Sequence, residues 1–363
     1  MWPNTPLTEL LNLRYPIVQG PFGGGSSSPE LVAAVSNAGG LGSFGAMGLK
    51  PDEIGPLCAE IRALTDRPFA INLWVSTEDD DARDPAMDTR RAAALAPLAP
   101  FFEELGVALP ALEPITPHDF RAQVEALLEA APPVLSVIFG VPDAGLLERC
   151  RRAGIVTVGG ATTVDEAILL DRAGLDAIVA SGFEAGGHRM SFLRSAEASL
   201  MGTLSLVPQV VDAVRAPVIA AGGIADGRGI AAVLALGASG AQIGTAFLAC
   251  EESNASPHHR DTLHSERAWH TVLTRAFSGR LARGLSNRLL AAYEDQSVRP
   301  LPYPVQAQLA RPLREAAQAQ GSEAFTPLWS GQSARLVRDR HAGALLDRLV
   351  AEVDAYFEGM RGG

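Results

Sequence analysis

Among the seven histidines of this chain, His188 alone stands in a glycine frame. It follows Gly186 and Gly187 directly in Ser181-Gly-Phe-Glu-Ala-Gly-Gly-His-Arg189, where an apolar run of β character gives way to a turn. An imidazole titrates near neutrality, so such a side chain serves as a base toward a carbon-bound proton or, when charged, as a partner for an anionic substrate. A lone histidine is more often structural than catalytic. His258, His259, His264 and His270 have no motif around them and read as a solvated, partly helical surface.

Two further clusters could hold a ligand. Gly222 and Gly223 end an apolar run in AAGGI, and Gln242, Gly244 and Thr245 end the next in AQIGT. Glycine lets backbone N–H groups approach a phosphate closely, and Thr245 adds a hydroxyl donor. A tight turn without any ligand also uses glycine, but two such ends in succession favour an anion cradle. Asn72, closing FAIN, offers an amide donor and acceptor suited to a uracil-like heterocycle edge, or equally to a helix cap. Gln19 and Gly20 close the first run and read as backbone near a flat ligand or as a simple turn. No P-loop, H-E-x-x-H or G-x-S-x-G is present, and Cys58, Cys150 and Cys250 form no C-x-x-C pair. Metal sites, a disulfide framework and serine-hydrolase chemistry are therefore not expected.

Positioning these residues requires a repetitive scaffold, and the chain has one. Short runs rich in β-branched residues occur at 17–19, 41–44, 69–74, 134–139, 155–158, 177–181, 218–221 and 241–243, eight in all. Helix starts lie between them: Ser28-Pro29-Glu30, Pro51-Asp52-Glu53, and a capping box Thr163-Val-Asp-Glu166 whose helix ends at Gly174. Because parallel crossovers are right-handed, eight βα units in series close most naturally into a (β/α)8 TIM barrel, with a doubly wound open sheet as the lesser reading. His188 and both glycine clusters then fall on the carboxyl-terminal face of the strands.

Two segments exceed the barrel. Residues 79–131 are too long for a single crossover and read as an enlarged connection. Residues 253–330 lose the α/β rhythm and include the proline-rich SVRPLPYPVQ; they are expected to form a mostly helical subdomain over the barrel mouth. The domain reading is thus a barrel over 1–252, the subdomain over 253–330, and a segment over 331–363 that returns to the barrel, amphipathic over 334–357.

Composition agrees. The 363 residues are 47% hydrophobic, 20% charged and 6% aromatic, as suits parallel strands packed under helices. A net charge of −11 without a basic run argues against nucleic acid. The stretch 229–250 holds no charge but is broken by Gly237, Ser239, Gly240 and Gln242, so it is not read as a membrane span. The start MWPNTPLTELL lacks the pattern of a signal peptide, and a cytoplasmic location is expected.

Taken together, PIVQGPFGG, AVSNAGGLGSFGA, FAINLWV, EAGGH, PVIAAGGIADGRG, GAQIGTAF, FSGRLARGLSN and LWSGQ make the chain resemble the nitronate monooxygenases, formerly called 2-nitropropane dioxygenases, over most of its length. The resemblance implies FMN, its phosphate at Gly222, Gly223, Gln242, Gly244 and Thr245. Its ring would lie near Gln19, Gly20, Asn72, Ser181, Gly186 and Gly187. His188 matches the family's catalytic histidine, and Phe22, Tyr303 and Gln332 are implied walls of the pocket. Ser181 stands where many members carry glutamine, and Met190 where glycine is common. The implied reaction is oxidative denitrification: a nitronate, or a nitroalkane after His188 removes its α-proton, reacts with O2 to give a carbonyl compound and nitrite. On the same FMN barrel the pattern also allows NAD(P)H-dependent reduction of a quinone or an enoyl thioester, or FMN binding without catalysis.

Overall fold

The computed structural model describes residues 4–84, 86–110, 119–293 and 299–361. Residues 1–3, at the head of the segment read for a leader, and Ser297 and Val298, at the head of SVRPLPYPVQ, lie outside the described residues.

Eleven strands occur among the described residues: β1 (Ile17–Gln19), β2 (Gly42–Gly45), β3 (Phe69–Trp74), β4 (Val134–Ile138), β5 (Val156–Ala161), β6 (Ala177–Ser181), β7 (Gly187–His188), β8 (Val218–Ala221), β9 (Gly240–Ile243), β10 (Thr271–Thr274) and β11 (Ala282–Leu285). Eight of them form one parallel sheet in the order β1-β9-β8-β6-β5-β4-β3-β2. A parallel bridge between Val18 and Leu41 brings the two ends together. Leu41 N–H donates to the Ile17 carbonyl and Gln19 N–H to the Leu41 carbonyl, each at 2.9 Å. The result is the expected α/β barrel. The eight strands are those read from the sequence, shifted by a residue or more at 41–44, 155–158 and 241–243. Strand β4 stops before Phe139, whose φ of +62° lies outside the strand region.

The β1–β2 seam is a single bridge, and a side chain extends it. Gln19 Oε1 accepts a hydrogen bond from Ser43 N–H at 2.8 Å, while its Nε2 donates to the Gly20 carbonyl. The side-chain amide thus takes the part of the missing backbone group, as burial of Ser43 N–H demands.

Inside the barrel Val18, Leu41, Ala70, Val134, Val158, Val179 and Ile219 form a filled core, capped toward the strands' carboxyl ends by Trp74, Phe139 and Met190. Outside, apolar faces of the surrounding helices bury a larger cluster. Helix starts follow their signals. Ser28 Oγ accepts from Leu31 N–H at 3.0 Å above Pro29, and Thr163 Oγ1 accepts from Glu166 N–H at 3.3 Å. The reciprocal half of the expected capping box is absent. Fully buried Glu166 turns instead to Thr162 N–H (2.7 Å) and Thr162 Oγ1 (2.6 Å), and to the N–H groups of Phe192 (2.7 Å) and Leu193 (3.2 Å). A buried carboxylate needs several donors, and the loop after His188 supplies two that Thr163 N–H alone would not replace.

The enlarged connection after β3 contains helices Met87–Leu95, Ala99–Glu104 and Phe120–Ala130. Leu98 and Phe102 from it pack against Leu313 and Phe325 of the post-barrel segment. That segment holds helices Pro257–Leu263, Arg288–Ala291 and Val305–Ala319, and also the antiparallel hairpin β10–β11, which its helical reading did not include. The free edge of β11 pairs with β7, His188 opposite Ala282. The chain ends in helix Ala342–Arg361, which lies against helix Gly227–Ala235 and accepts Gly227 N–H on Glu352 Oε2 at 2.7 Å.

Candidate active site

At the carboxyl-terminal end of the barrel lies a cavity of about 570 Å³. Of the residues singled out in the sequence, Gly20, Phe22, Asn72, Ser181, Gly186, Gly187, His188, Gly222, Gly223, Gln242, Gly244, Thr245 and Tyr303 line it. Gln19 and Gln332 do not. Gln19 is fully buried in the seam behind Gly20, and the Gln332 side chain is exposed while its N–H donates to the Glu184 carbonyl at 2.9 Å.

One end of the cavity is a glycine cradle. Gly222 (φ +102°) and Gly223 (φ +73°) turn the chain after β8, and Gly244 and Thr245 follow β9, its neighbour in the sheet. None of the described hydrogen bonds uses the N–H groups of Gly222 or Gly223, nor the side-chain amide of Gln242. Thr245 Oγ1 accepts from Gly331 N–H at 2.9 Å, which leaves its own hydroxyl hydrogen for a ligand. The loop between β6 and the cradle is tied down: Glu184 receives Thr203 N–H and hydroxyl, and Thr203 Oγ1 also reaches the Gly222 carbonyl at 2.8 Å. Asn72 Nδ2 donates to Ser136 Oγ at 3.0 Å, so the amide that lines the cavity is held in one orientation.

The other end is aromatic and carries His188. Its ring meets Trp74 edge-on at 5.2 Å between centroids, Trp329 at 5.4 Å and Phe139 at 6.5 Å. Nε2 lies 2.7 Å from Ser278 Oγ. The backbone on both sides is fixed, by the β7–β11 pairing and by Arg189, whose guanidinium donates to the carbonyls of Ser181, Thr162 and Ser199. Next to this wall Arg280 stacks on Phe139 (4.1 Å), Tyr303 (4.6 Å) and Trp74 (5.4 Å), and its Nε donates to Asp79 Oδ1 at 2.8 Å. Burial, and secondarily the Arg280 charge, hold the His188 pKa down at about 3. The imidazole is therefore neutral in any ordinary buffer. It supplies no standing positive charge, and the burial that keeps it neutral also weakens it as a base until an anion formed beside it stabilises the imidazolium.

The expected solvated surface around His258–His270 is corrected at one position. His259 is buried, lines the cavity and has Nε2 3.0 Å from the Trp329 carbonyl; it is a cavity residue because the helix Pro257–Leu263 turns that face inward. Trp74, Ser278, Arg280 and Trp329 are the other site residues that sequence reasoning did not assign. Ser278 and Arg280 do lie in the motif FSGRLARG, a signal that marks the segment without revealing what it touches.

A parallel barrel with a glycine cradle and a half-buried, cavity-lining histidine at the strands' carboxyl ends defines an α/β-barrel enzyme. The nitronate monooxygenase family model matches residues 4–352, and the chain belongs to that family of oxidoreductases. A probable nitronate monooxygenase of Staphylococcus aureus (strain JH9) is 39% identical over 355 residues, covering 98% of each chain. Among solved structures, nitroalkane oxidase from Streptomyces ansochromogenes matches with a TM-score of 0.90 and 39% identity over 98% of this chain and 100% of its own. FabK from Thermotoga maritima matches with a TM-score of 0.74 and 28% identity over 99% and 98%. Among the described residues no helix is long and apolar enough to cross a membrane, and no cluster of side chains could hold a metal ion.

Proposed function

We propose that this chain binds FMN in the cavity and uses it to oxidise alkyl nitronates, and nitroalkanes, with O2. Two nitronate anions and one O2 give two carbonyl compounds and two nitrite ions, so atoms and charge balance without a pyridine nucleotide. The observation that carries this reading is the meeting of the glycine cradle and a neutral, desolvated His188 in a single cavity.

The fit to FMN rests on the cradle. N–H groups left over at Gly222 and Gly223, with the Gln242 amide, Gly244 and the Thr245 hydroxyl, suit a phosphate; a Cβ at Gly222 would close the loop against the Gly182 carbonyl. Gly20, Asn72, Ser181, Gly186 and Gly187 supply the flat, side-chain-poor lining that a flavin ring needs, with Gln19 supporting Gly20 from behind. When bound, FMN supplies the electron transfer between substrate and O2.

This chain's own residues then bind, orient and deprotonate. Trp74, Trp329, Phe139 and Tyr303 exclude water from the reacting carbon. His188, kept neutral, takes the α-proton of a nitroalkane; toward a nitronate, already deprotonated, it has only a positioning task. Ser278 fixes the ring through Nε2.

The test is the purified protein with FMN, given the anion of nitroethane with and without O2, while nitrite is assayed. Nitrite release with O2 and without NAD(P)H is the expected result. A flavin bleached by NAD(P)H without O2, with no nitrite from any nitronate, would overturn it and favour a reductase.

A further inference from the structure

Part of the cavity wall belongs neither to the cradle nor to the loop of His188: one stripe of helix Val305–Ala319, Ala307, Arg311, Arg314 and Gln318, lines it at the spacing of four, three and four that keeps side chains on one face. Ser256 and His259 line the same cavity from helix Pro257–Leu263 and its cap. Arg311 has a partner, Glu315, at 3.9 Å, and both of these side chains are more than half exposed. Arg314 differs. It is half-buried and has no hydrogen bond, ion pair or ring contact with a described residue. The carboxylate that acts on it, Glu315, raises its pKa through charge alone and pairs with Arg311, while Glu323 accepts from Ser256 Oγ at 2.6 Å and does not line the cavity.

A partly desolvated guanidinium whose donors meet no acceptor is costly unless an anion visits it. Burial pushes its pKa below the usual arginine value, although it stays protonated at neutral pH. The other cations of the site are spent: Arg280 is paired with Asp79, and His188 is uncharged. The protein as a whole carries −11, so its surface repels an anionic substrate.

We infer that Arg314 is the entry site for the anionic substrate, a half-buried guanidinium in the cavity wall that draws a nitronate oxyanion out of solvent and hands it inward toward His188. The inference rests on the nitronate reading of the site. A cation at the mouth of a low-dielectric cavity focuses the field there, and its effect is one of rate of capture, strongest at low salt. Neutral nitroalkanes feel no such pull. Arg314 therefore biases the enzyme toward nitronates over their conjugate acids.

The experiment compares kcat/KM for the nitroethane anion and for neutral nitroethane in wild type, Arg314→Gln and Arg314→Lys, at about 10 mM and at about 500 mM salt, where screening shrinks from tens of ångströms to a few. At low salt Arg314→Gln is expected to lower the anion-to-neutral ratio of kcat/KM about tenfold, with most of the ratio kept in Arg314→Lys. At high salt wild type and Arg314→Gln converge. Identical salt slopes in the two proteins, or equal losses on both substrates, would overturn the inference and mark Arg314 as packing. A second readout does not depend on turnover. Melting temperature is followed against sulfate at constant ionic strength; saturable stabilisation of wild type that Arg314→Gln lacks supports an anion site, and parallel responses refute it. Should no nitrite form from either substrate, the nitronate reading fails by itself, and the sulfate titration still decides whether Arg314 holds an anion.

Discussion

His188 and Ser278 lie ninety positions apart in the chain and meet at 2.7 Å between Nε2 and Oγ. The contact exists because β11 adds to the edge of β7 and presents the turn before it to the imidazole. Ser278 Oγ is also 3.3 Å from the Arg280 carbonyl, so the hydroxyl links the ring to the backbone that carries the site's cation. Removing it in Ser278→Ala frees the ring to rotate. Turnover of neutral nitroethane should fall about tenfold, equivalent to ~1.4 kcal/mol of barrier, with a smaller change in KM. Steady-state kinetics measure this, and a KM effect larger than the kcat effect would point to binding instead.

Replacing the ring itself separates its two tasks. His188→Ala should cost nitroalkane turnover at least a hundredfold, within the usual range for a general base, and nitronate turnover far less. Equal losses on both substrates would refute the base assignment.

The depressed His188 pKa sets a pH signature. With a folded value of about 3 against an ordinary value near 6.5, the unfolded chain binds this proton between those limits and the folded chain does not. Stability from the neutral ring is thus fully present above pH ~6.5 and is lost progressively as pH falls toward 3. Arg280→Met removes the secondary cause, so the His188 pKa should rise while burial still holds it below the ordinary value. A titration of the imidazole resonances by NMR checks both statements; a wild-type midpoint near 6.5 would contradict them.

At the cradle, Gly222 adopts φ +102° and a Cβ there would stand 2.9 Å from the Gly182 carbonyl. Gly222→Ala should weaken FMN retention roughly tenfold to a hundredfold, from strain of about 1–3 kcal/mol. Fluorescence of released flavin during dilution measures it, and unchanged retention would remove the cradle as the phosphate site.

Met190 forms the floor between the cavity and the filled barrel core. A Cβ on Gly160 would overlap its Sδ, so the side chain lies flat across the backbone of β5. Arg189, Thr162 and Glu166 hold the backbone on either side, and only the Met190 side chain is left to yield. Met190→Ala should shift preference toward longer alkyl nitronates, by about fourfold in kcat/KM for each methylene that the new space accepts. A chain-length profile identical to wild type would show that substrates do not reach this floor.

Much of the scaffold was legible because its strands are continuous β-branched runs with glycine ends, a pattern set locally in each βα unit. The cradle glycines were legible for the same reason, as they terminate two of those runs, and His188 stood out by the Gly186-Gly187 pair before it. Strand β7 was not, since two residues become a strand only by pairing with β11. Nor does TVLT or ARGL announce a hairpin whose register depends on Gly187 and His188 far upstream. The cation stack shows the same limit. Arg280 is one residue, but Trp74, Phe139 and Tyr303 reach it from three separate segments, and no spacing in the sequence encodes their convergence. Gln19 was read with Gly20 as backbone near a flat ligand or as a turn, and the resemblance implied a place near the ring; strand alternation turns its side chain into the seam instead.

The dependence of β7 on β11 also orders events during synthesis. The last barrel strand ends at Ile243, whereas the partner strand of His188, Tyr303 and Trp329 all come afterwards. At about 5–20 residues per second, a ribosome has made all eight barrel strands several seconds before the histidine is clamped and its aromatic wall is built. A nascent chain that captured cofactor early would hold it in an open cleft without a positioned base. The positioned base thus arrives only with the carboxyl-terminal third, whose last helix also buries Leu345, Leu346, Leu349 and Val353 in the main core.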